Sequence, residues 1–385
     1  MKLLGVFELI RKLQYKLLVL WYSWVRRPQP ASESFPDESP ILVAAPLYLG
    51  DLCMALPALA LLCQSTPNKK IILLVRPELV SLAKLIDGID SVVPFFKDLR
   101  TLRTIRSFKA GSAICFFEKR LFRFLSASGA RNIWAFRDQE TPKFFQGPSF
   151  DRVSGLPISE MLHSLIKDFL DQMPEGVVSR IPFEKLSRPF WNLSSIEKQR
   201  FNLDYERYAV IHLSGRGKFR KLDLDTAIEL KQDLIAEGMT PVFTGTEDLL
   251  PRELEINSIN LIDKTSLPEL LLTLAKAEIV FGPDTGVTHL AASLGVRTVV
   301  IMGSSQPRLV HSELFFPNRI FQYSGEIACR STKRLHGYTG IPNGHCKGFQ
   351  CSHQEQGFCV KGRNQQAYIR LAKEEIHKAS AKGVS

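Results

Sequence analysis

From residue 41 onward the chain alternates between short, wholly apolar runs and longer segments whose apolar residues recur every three or four positions. A continuous run such as ILVAAP (41–46) predicts a strand buried on both faces. DLCMALPALALLCQ (51–64) predicts a helix, KKIILLV (69–75) a strand and ELVSLAKLI (78–86) a second helix. VVPFF, SAICFF and RNIWAF read as further short strands. Residues 141 to 200 are less regular. Alternation resumes with YAVIHLSG (208–215) as strand, LDTAIELKQDLIAEG as helix, TPVFTG as strand, LPELLLTLAKA as helix, EIVFG as strand, a short helix, and RTVVIMG (297–303) as strand. Strands alternating with helices imply parallel sheets covered on both faces. The expected class is α/β, with two doubly wound domains facing a cleft and ligands at the carboxyl ends of the strands.

The boundaries follow from the same pattern. Residues 1–27 form a basic segment, 28–40 (PQPASESFPDESP) a linker, and 41–150 the first domain. Residues 151–205 connect it to a second domain at 206–325, and 326–385 hold a cysteine-rich tail and a closing helix. In MKLLGVFELIRKLQYKLLVLWYSWVRR six basic residues accompany one acid, and the longest uncharged run is nine residues. A spanning helix needs about 20, and a cleavable signal needs a longer apolar stretch and a small-residue cleavage site. Leu3, Leu4, Phe7, Ile10, Leu13, Leu17 and Leu18 recur at helical spacing, with Trp21 and Trp24 beside them. That pattern fits a helix lying in a membrane interface, or one packed on the first domain.

Charge sharpens the choice of partner. A net charge of +11 favours an anionic one. Ten basic residues and two acids between Lys97 and Arg137 mark either an anion-facing surface or solvated helix faces. The basic residues are not interleaved with aromatics as single-strand nucleic-acid binding requires, so nucleic acid is not the expected partner. Cys53, Cys63 and Cys115 lie in apolar runs and read as buried thiols of a reducing compartment.

Three stretches carry candidate chemistry. In EIVFGPDTGVTHLAASLG (278–295), Asp284 falls where a helix N-cap is expected. Gly286 would let a ligand approach the backbone, and Gly295 ends the helix. Free N–H groups and the helix dipole make an anion site there. A diphosphate would use Thr285 and Gly286, while Asp284 and His289 would bind hydroxyls. In PLYLGDLCMALPALALL (46–62), Asp51 lies where the first strand turns into the first helix. It reads as a general base or as the cap of its helix. In IHLSGRGKFRKLD (211–223), Ser214 and its glycines precede Lys218, Arg220 and Lys221, a combination that holds phosphate oxygens. The following D-L-D (223–225) has the look of a metal pair but precedes a helix, where acids are favourable anyway. Cys329, Cys346, Cys351 and Cys359 are close enough in sequence for a zinc site or a disulfide cross-link.

PLYLGDLCMALPALALL, VFTGTED, LIDKTSLPELLLTLAKAEIVFGPDTGVTHLAASLGVRTVVIMG and the basic loop resemble glycosyltransferase family 9, the lipopolysaccharide heptosyltransferases. The resemblance spans about residues 41–325 and is strongest at 261–303. It implies a GT-B fold of two Rossmann-like domains, Asp51 as catalytic base, and donor contacts from Asp284, Thr285, Gly286 and His289. It also implies a phosphate-binding cation among Lys218, Arg220 and Lys221, a ribose contact from Glu247, and ADP-heptose as donor. MGSSQP (302–307) stands where the family more usually has G-P-T-D-P, and the N-terminal helix is an addition.

The expected function is an inverting transfer needing no cofactor for catalysis, with any zinc structural. The expected acceptor is an anionic glycolipid at the cytoplasmic face of the inner membrane, with the protein peripheral on that surface. Two other classes fit the sequence less well. An oxidoreductase is disfavoured because no G-x-G-x-x-G follows a predicted strand. A non-catalytic protein binding a nucleotide or glycolipid on the same fold is disfavoured because Asp51 and the Asp284–His289 set are both present.

Overall fold

Ile41–Ala44 (β1) is buried along its whole length and lies at the centre of a parallel sheet. An apolar run without alternation is what a strand covered on both faces requires. The computed structural model describes residues 39–116, 121–138, 145–149, 155–173, 190–196, 207–214, 221–246, 250–303, 307–322 and 363–382, with isolated positions between them and two short strands at 346–351. The chain divides into two units.

In the first unit, β1 pairs in parallel with Ile71–Val75 (β2) and Ser112–Cys115 (β4), with Ile41 opposite Ile71 and Ser112. Ser91–Pro94 (β3) and Asn132–Trp134 (β5) extend the sheet to the order β3-β2-β1-β4-β5. The order reverses between β1 and β4, as in doubly wound folds. Helix α1 (Leu49–Ser65) follows β1. Its first turn, Leu49–Met54, groups with the second unit and the rest, from Ala55, with the first. A short helix α2 (Val80–Ala83) follows a 3₁₀ turn after β2.

Part of the basic strip is helix α3 (Leu99–Ser107). Leu102 and Ile105 face the core, while Arg100 and Arg103 are exposed. Asp98 caps it, accepting from the Thr101 amide at 2.9 Å. Arg106 instead donates to the Ala127 carbonyl at 2.8 Å, tying α3 to helix α4 (Phe122–Ser128). Lys97, Lys109, Arg123, Arg131 and Arg137 are exposed as well.

Residues 151–205, read from sequence as an irregular connection, contain helix α5 (Ile158–Asp171). Its Met161, Leu162, Leu165, Ile166 and Phe169 form a buried stripe at helical spacing. Phe169 meets Trp134 edge to face at 5.5 Å. No strand pattern flanks this helix, which hid it from a reading built on alternation.

The second unit is a six-stranded parallel sheet of order β11-β10-β9-β6-β7-β8. Its strands are β6 (Tyr208–His212), β7 (Thr240–Thr244), β8 (Ile259–Asn260), β9 (Ile279–Pro283), β10 (Arg297–Ile301) and β11 (Arg319–Gln322). The order reverses between β6 and β9, which places a ligand crevice at their carboxyl ends. The helices are α6 (Leu224–Ala236), α7 (Arg252–Glu255), α8 (Leu267–Ala275), α9 (Gly286–Ser293), α10 (Pro307–Val310) and α11 (Arg363–Lys382). Strands β8 and β11 are absent from the sequence reading. Tyr368, Ala372 and Ile376 of α11 complete the core. The Tyr368 hydroxyl donates to the Val299 carbonyl and accepts from the Gly282 amide, both at 3.1 Å. Buried Glu375 pairs with Arg297.

Strands β12 (Cys346–Lys347) and β13 (Gln350–Cys351) pair antiparallel with Cys346 opposite Cys351. The segment 1–27 apart from Leu17, together with Cys329 and Cys359, lies outside the described residues. Among the described residues no helix is long and apolar enough to cross a membrane.

Candidate active site

The β9–α9 connection puts an acid, two hydroxyls and an imidazole at the reversal point of the second sheet. Thr285, in extended conformation, is the N-cap of α9, and its amide donates to Thr288 Oγ1 at 3.2 Å. Asp284 is therefore not the cap that the sequence suggests. It sits one residue earlier, and its carboxylate turns into the protein. Gly295, at φ +79°, ends the helix as expected.

Asp284 is 5% exposed and meets Arg319, 4% exposed, from the first position of β11. Arg319 Nη2 donates to Asp284 Oδ1 at 2.9 Å. Its other terminal nitrogen, Nη1, lies 3.2 Å from His289 Nδ1. A guanidinium has no acceptor, so Nδ1 of His289 accepts and the ring proton sits on Nε2. Nε2 lies 3.2 Å from Asp284 Oδ1. This contact is a hydrogen bond from neutral imidazole rather than an ion pair. Burial lowers the pKa of His289, with Arg319 adding to the effect, against the opposite pull of Asp284 and Asp51. Both ring nitrogens are thus engaged within the protein. Thr285 Oγ1 is buried with no partner among the described residues, as are Arg319 Nε and His311 Nδ1.

The first turn of α1 completes the cluster. Tyr48 is its N-cap position without a side-chain cap bond, and Asp51 is the acid of the first turn, 7% exposed. The sequence assigned Gly286 to a close approach of ligand, but its missing side chain admits Leu49. A Cβ there would lie 2.9 Å from Leu49 Cβ and Cγ. At Gly50 a Cβ would lie 3.0 Å from His289 Cδ2. The L-G-D segment therefore packs directly on the G-x-x-H segment. Cys53, in the same turn, hydrogen-bonds Ser293, and burial pushes its thiol far up, with Asp51 adding to the shift.

The end of β6 is adjacent in the sheet. His212 Nδ1 is 3.1 Å from Thr244 Oγ1, and burial lowers its pKa to about 4, so it is neutral. Ser214 Oγ donates to the Thr246 carbonyl at 2.9 Å and accepts from its amide at 3.2 Å. Its hydroxyl is spent joining the loops after β6 and β7. Ser214 also forms an isolated antiparallel bridge with Lys221, which is exposed. Lys218, Arg220 and Glu247 lie outside the described residues. Asp223, first acid of the D-L-D, is a helix cap: it accepts from the Thr226 amide at 3.0 Å and from Gln365 Nε2 at 2.8 Å.

The structure thus gathers Asp51, Asp284, Thr285, Gly286 and His289 in one unit, with Ser214 and Lys221 at the neighbouring strand end. Sequence reasoning missed Arg319 and His311. The available signal was topological, because the four strands read for the second domain fall short of the five or six of a doubly wound sheet and RIFQ (319–322) is the next candidate.

Residues 208–325 match the family described as glycosyltransferase family 9 (heptosyltransferase). Comparison with curated proteins gives no match. Among solved structures, the chain is similar to the ADP-heptose lps heptosyltransferase II of E. coli, with a TM-score of 0.62 at 16% identity over 90% of this chain and 100% of that one. E. coli heptosyltransferase WaaC with ADP gives a TM-score of 0.54 at 16% identity, over 73% of this chain and 92% of that one. The iron-containing E. coli heptosyltransferase TibC in complex with ADP-D-beta-D-heptose gives 0.52 at 14%, over 89% and 77%. At these identities the likeness is one of fold, and the fold is GT-B, as expected. The enzyme class is that of a glycosyltransferase, with the family 9 (heptosyltransferase) match confined to residues 208–325.

Proposed function

We propose that the chain transfers a heptose from ADP-heptose to a lipopolysaccharide-core or related anionic glycolipid, with inversion and without a catalytic metal. The observation that carries this reading is the buried Asp284–His289–Arg319 cluster at the reversal point of the second sheet, with Asp51 grouped beside it. Asp51 takes the proton from an acceptor hydroxyl as that oxygen attacks the anomeric carbon, and the carbon–oxygen bond to the diphosphate breaks. The departing diphosphate gathers negative charge at the mouth of α9, where the first-turn amides of a helix lack intrahelical acceptors and the dipole favours an anion. The cations at 218–221 hold its oxygens. Metal independence is supported by the D-L-D at 223–225, whose first acid is spent as a helix cap. ADP as the nucleotide is supported by the names of the solved heptosyltransferases of similar fold. A metal bound by Cys329, Cys346, Cys351 and Cys359 would be structural and separate from transfer.

A thermal-shift series with ADP, ADP-heptose, UDP and GDP tests the donor, since a ligand that binds only the folded state raises the melting temperature. A rise with ADP and ADP-heptose alone is expected, and a rise with UDP or GDP alone would sink the nucleotide assignment. Transfer is expected to survive EDTA with the fold intact. Activity lost to the chelator and restored by Mg²⁺ or Mn²⁺ would overturn metal independence.

The acceptor reading is supported by the +11 charge and by the exposed cations at Lys97, Arg100, Arg103, Arg123, Arg131 and Arg137. It places the protein at the inner face of the cytoplasmic membrane, with residues 1–27 as the interfacial element. Deleting 1–27 is expected to lower binding to anionic vesicles while the protein stays folded. Vesicle binding that is unchanged at both low and physiological salt would rule this element out.

A further inference from the structure

We propose that Arg319 is a positioning residue of the donor site: one terminal nitrogen fixes His289 as the Nε2–H tautomer, and the other holds the Asp284 carboxylate in its orientation. This inference rests on the donor-site reading above. Arg319 touches neither reacting centre in that reading. It acts through two side chains that do belong to the site.

The argument is geometric. The two terminal nitrogens of one guanidinium address two different acceptors, Asp284 Oδ1 at 2.9 Å and His289 Nδ1 at 3.2 Å. His289 closes the triangle through Nε2 on the same carboxylate oxygen at 3.2 Å. All three side chains are more than nine-tenths buried, so little water competes. Nη1 also lies 3.3 Å from the Val310 carbonyl, and β11 anchors the backbone by pairing Arg319 with Thr298 of β10. A lysine offers one point of charge and lacks this planar fork.

The groups facing His289 come from four segments. Asp284 precedes α9, Asp51 lies on α1, Arg319 on β11 and His311 after α10. His311 is itself neutral, its pKa pushed down to about 4 by burial and then by Arg319 and His289. Arg319 is therefore the cation that opposes Asp51 and Asp284 at this ring. With it removed, Asp284 and Asp51 would raise the His289 pKa with only burial opposing them. A protonated His289 would bind Asp284 as an ion pair and draw its lone pairs away from a donor hydroxyl.

The test begins with the native protein. Histidine ¹⁵N shifts, assigned with His289→Gln among the eight histidines, should show Nε2 protonated and Nδ1 bare from about pH 5.5 to about 8. A native His289 in the Nδ1–H tautomer, or charged at pH 7, would overturn the proposal without any further variant. In Arg319→Gln the His289 midpoint is expected to lie above that of the native protein. ADP affinity, flat with pH in the native protein, should then weaken by up to about tenfold per pH unit below the new midpoint. Arg319→Lys keeps a charge, so it should keep His289 neutral but lower donor affinity at every pH. A His289 titration and an ADP pH profile that both match the native protein in Arg319→Gln would overturn the proposal. Failure of the native protein to bind ADP sinks the donor-site reading instead, and the tautomer measurement still decides what Arg319 does to His289.

Discussion

Replacing Asp284 by alanine is expected to destabilise the folded chain by about 3–5 kcal/mol, the usual cost of removing one partner of a buried ion pair. The cost arises on the residues left behind. The Arg319 side chain is 1% exposed, so its guanidinium would lose its carboxylate with no water to replace it. His289 Nε2–H would lose its acceptor in the same step. Loss of a helix cap alone would cost about 1 kcal/mol, and here the cap is Thr285, so the larger figure identifies the ion pair as the cause. The measurement is a denaturant midpoint and slope for the native and variant proteins. Removing both charges together, as Asp284→Leu with Arg319→Met, should recover much of the loss, because a buried pair replaced by apolar groups of similar size is often neutral. A loss below about 1 kcal/mol in the single variant would mean that the pair is solvated, and the buried cluster described above would be wrong.

The second large effect is kinetic. Asp51→Asn is expected to slow transfer by about 10²- to 10⁴-fold, the range typical of general-base action. Asparagine keeps the size of the side chain and removes its basic lone pair and charge. ADP affinity should change far less, because Asp51 is assigned to the acceptor hydroxyl rather than to the diphosphate. Single-turnover transfer and an ADP titration separate the two quantities. A wild-type rate would reduce Asp51 to a first-turn acid that merely suits the helix dipole. Loss of all ADP binding would show instead that the first turn of α1 shapes the donor site, which its packing on Gly286 and His289 makes a definite alternative outcome.

The elements whose pattern is local were legible in the sequence. The buried strands β1, β2, β6, β7, β9 and β10 each announce themselves as apolar runs bounded by turn residues. Alternation with helices then fixes parallel pairing. The chemistry clustered where such sheets bind ligands, and Asp51, Asp284, Thr285 and His289 were all named from that placement. What failed was of two kinds. Helix α5 has a clear apolar stripe, but it sits outside the alternation, which by itself marks residues 151–205 only as a connection. Strand β8 is only two residues long, and β11 (RIFQ) is bounded by an arginine and a glutamine and buries only Arg319, so neither presents an apolar run.

The roles within the cluster were beyond the sequence, for a physical reason. Which of two neighbouring residues caps α9 depends on backbone dihedrals, and these gave the cap to Thr285 and turned Asp284 inward. A glycine in sequence shows only that space is needed. Packing decided that Leu49 takes the space at Gly286. Arg319 stands 35 residues beyond Asp284, and no local rule links an arginine after a proline–asparagine turn to a distant acid. Strand pairing across β10 brings them together, and burial then makes the contact strong and sets the tautomer of His289. Sequence determined which groups would be at the carboxyl edge of the sheet, because that follows from short-range pattern. Tertiary structure decided which of them are charged, which are paired and which remain free, because those depend on neighbours contributed by distant segments and on the exclusion of water.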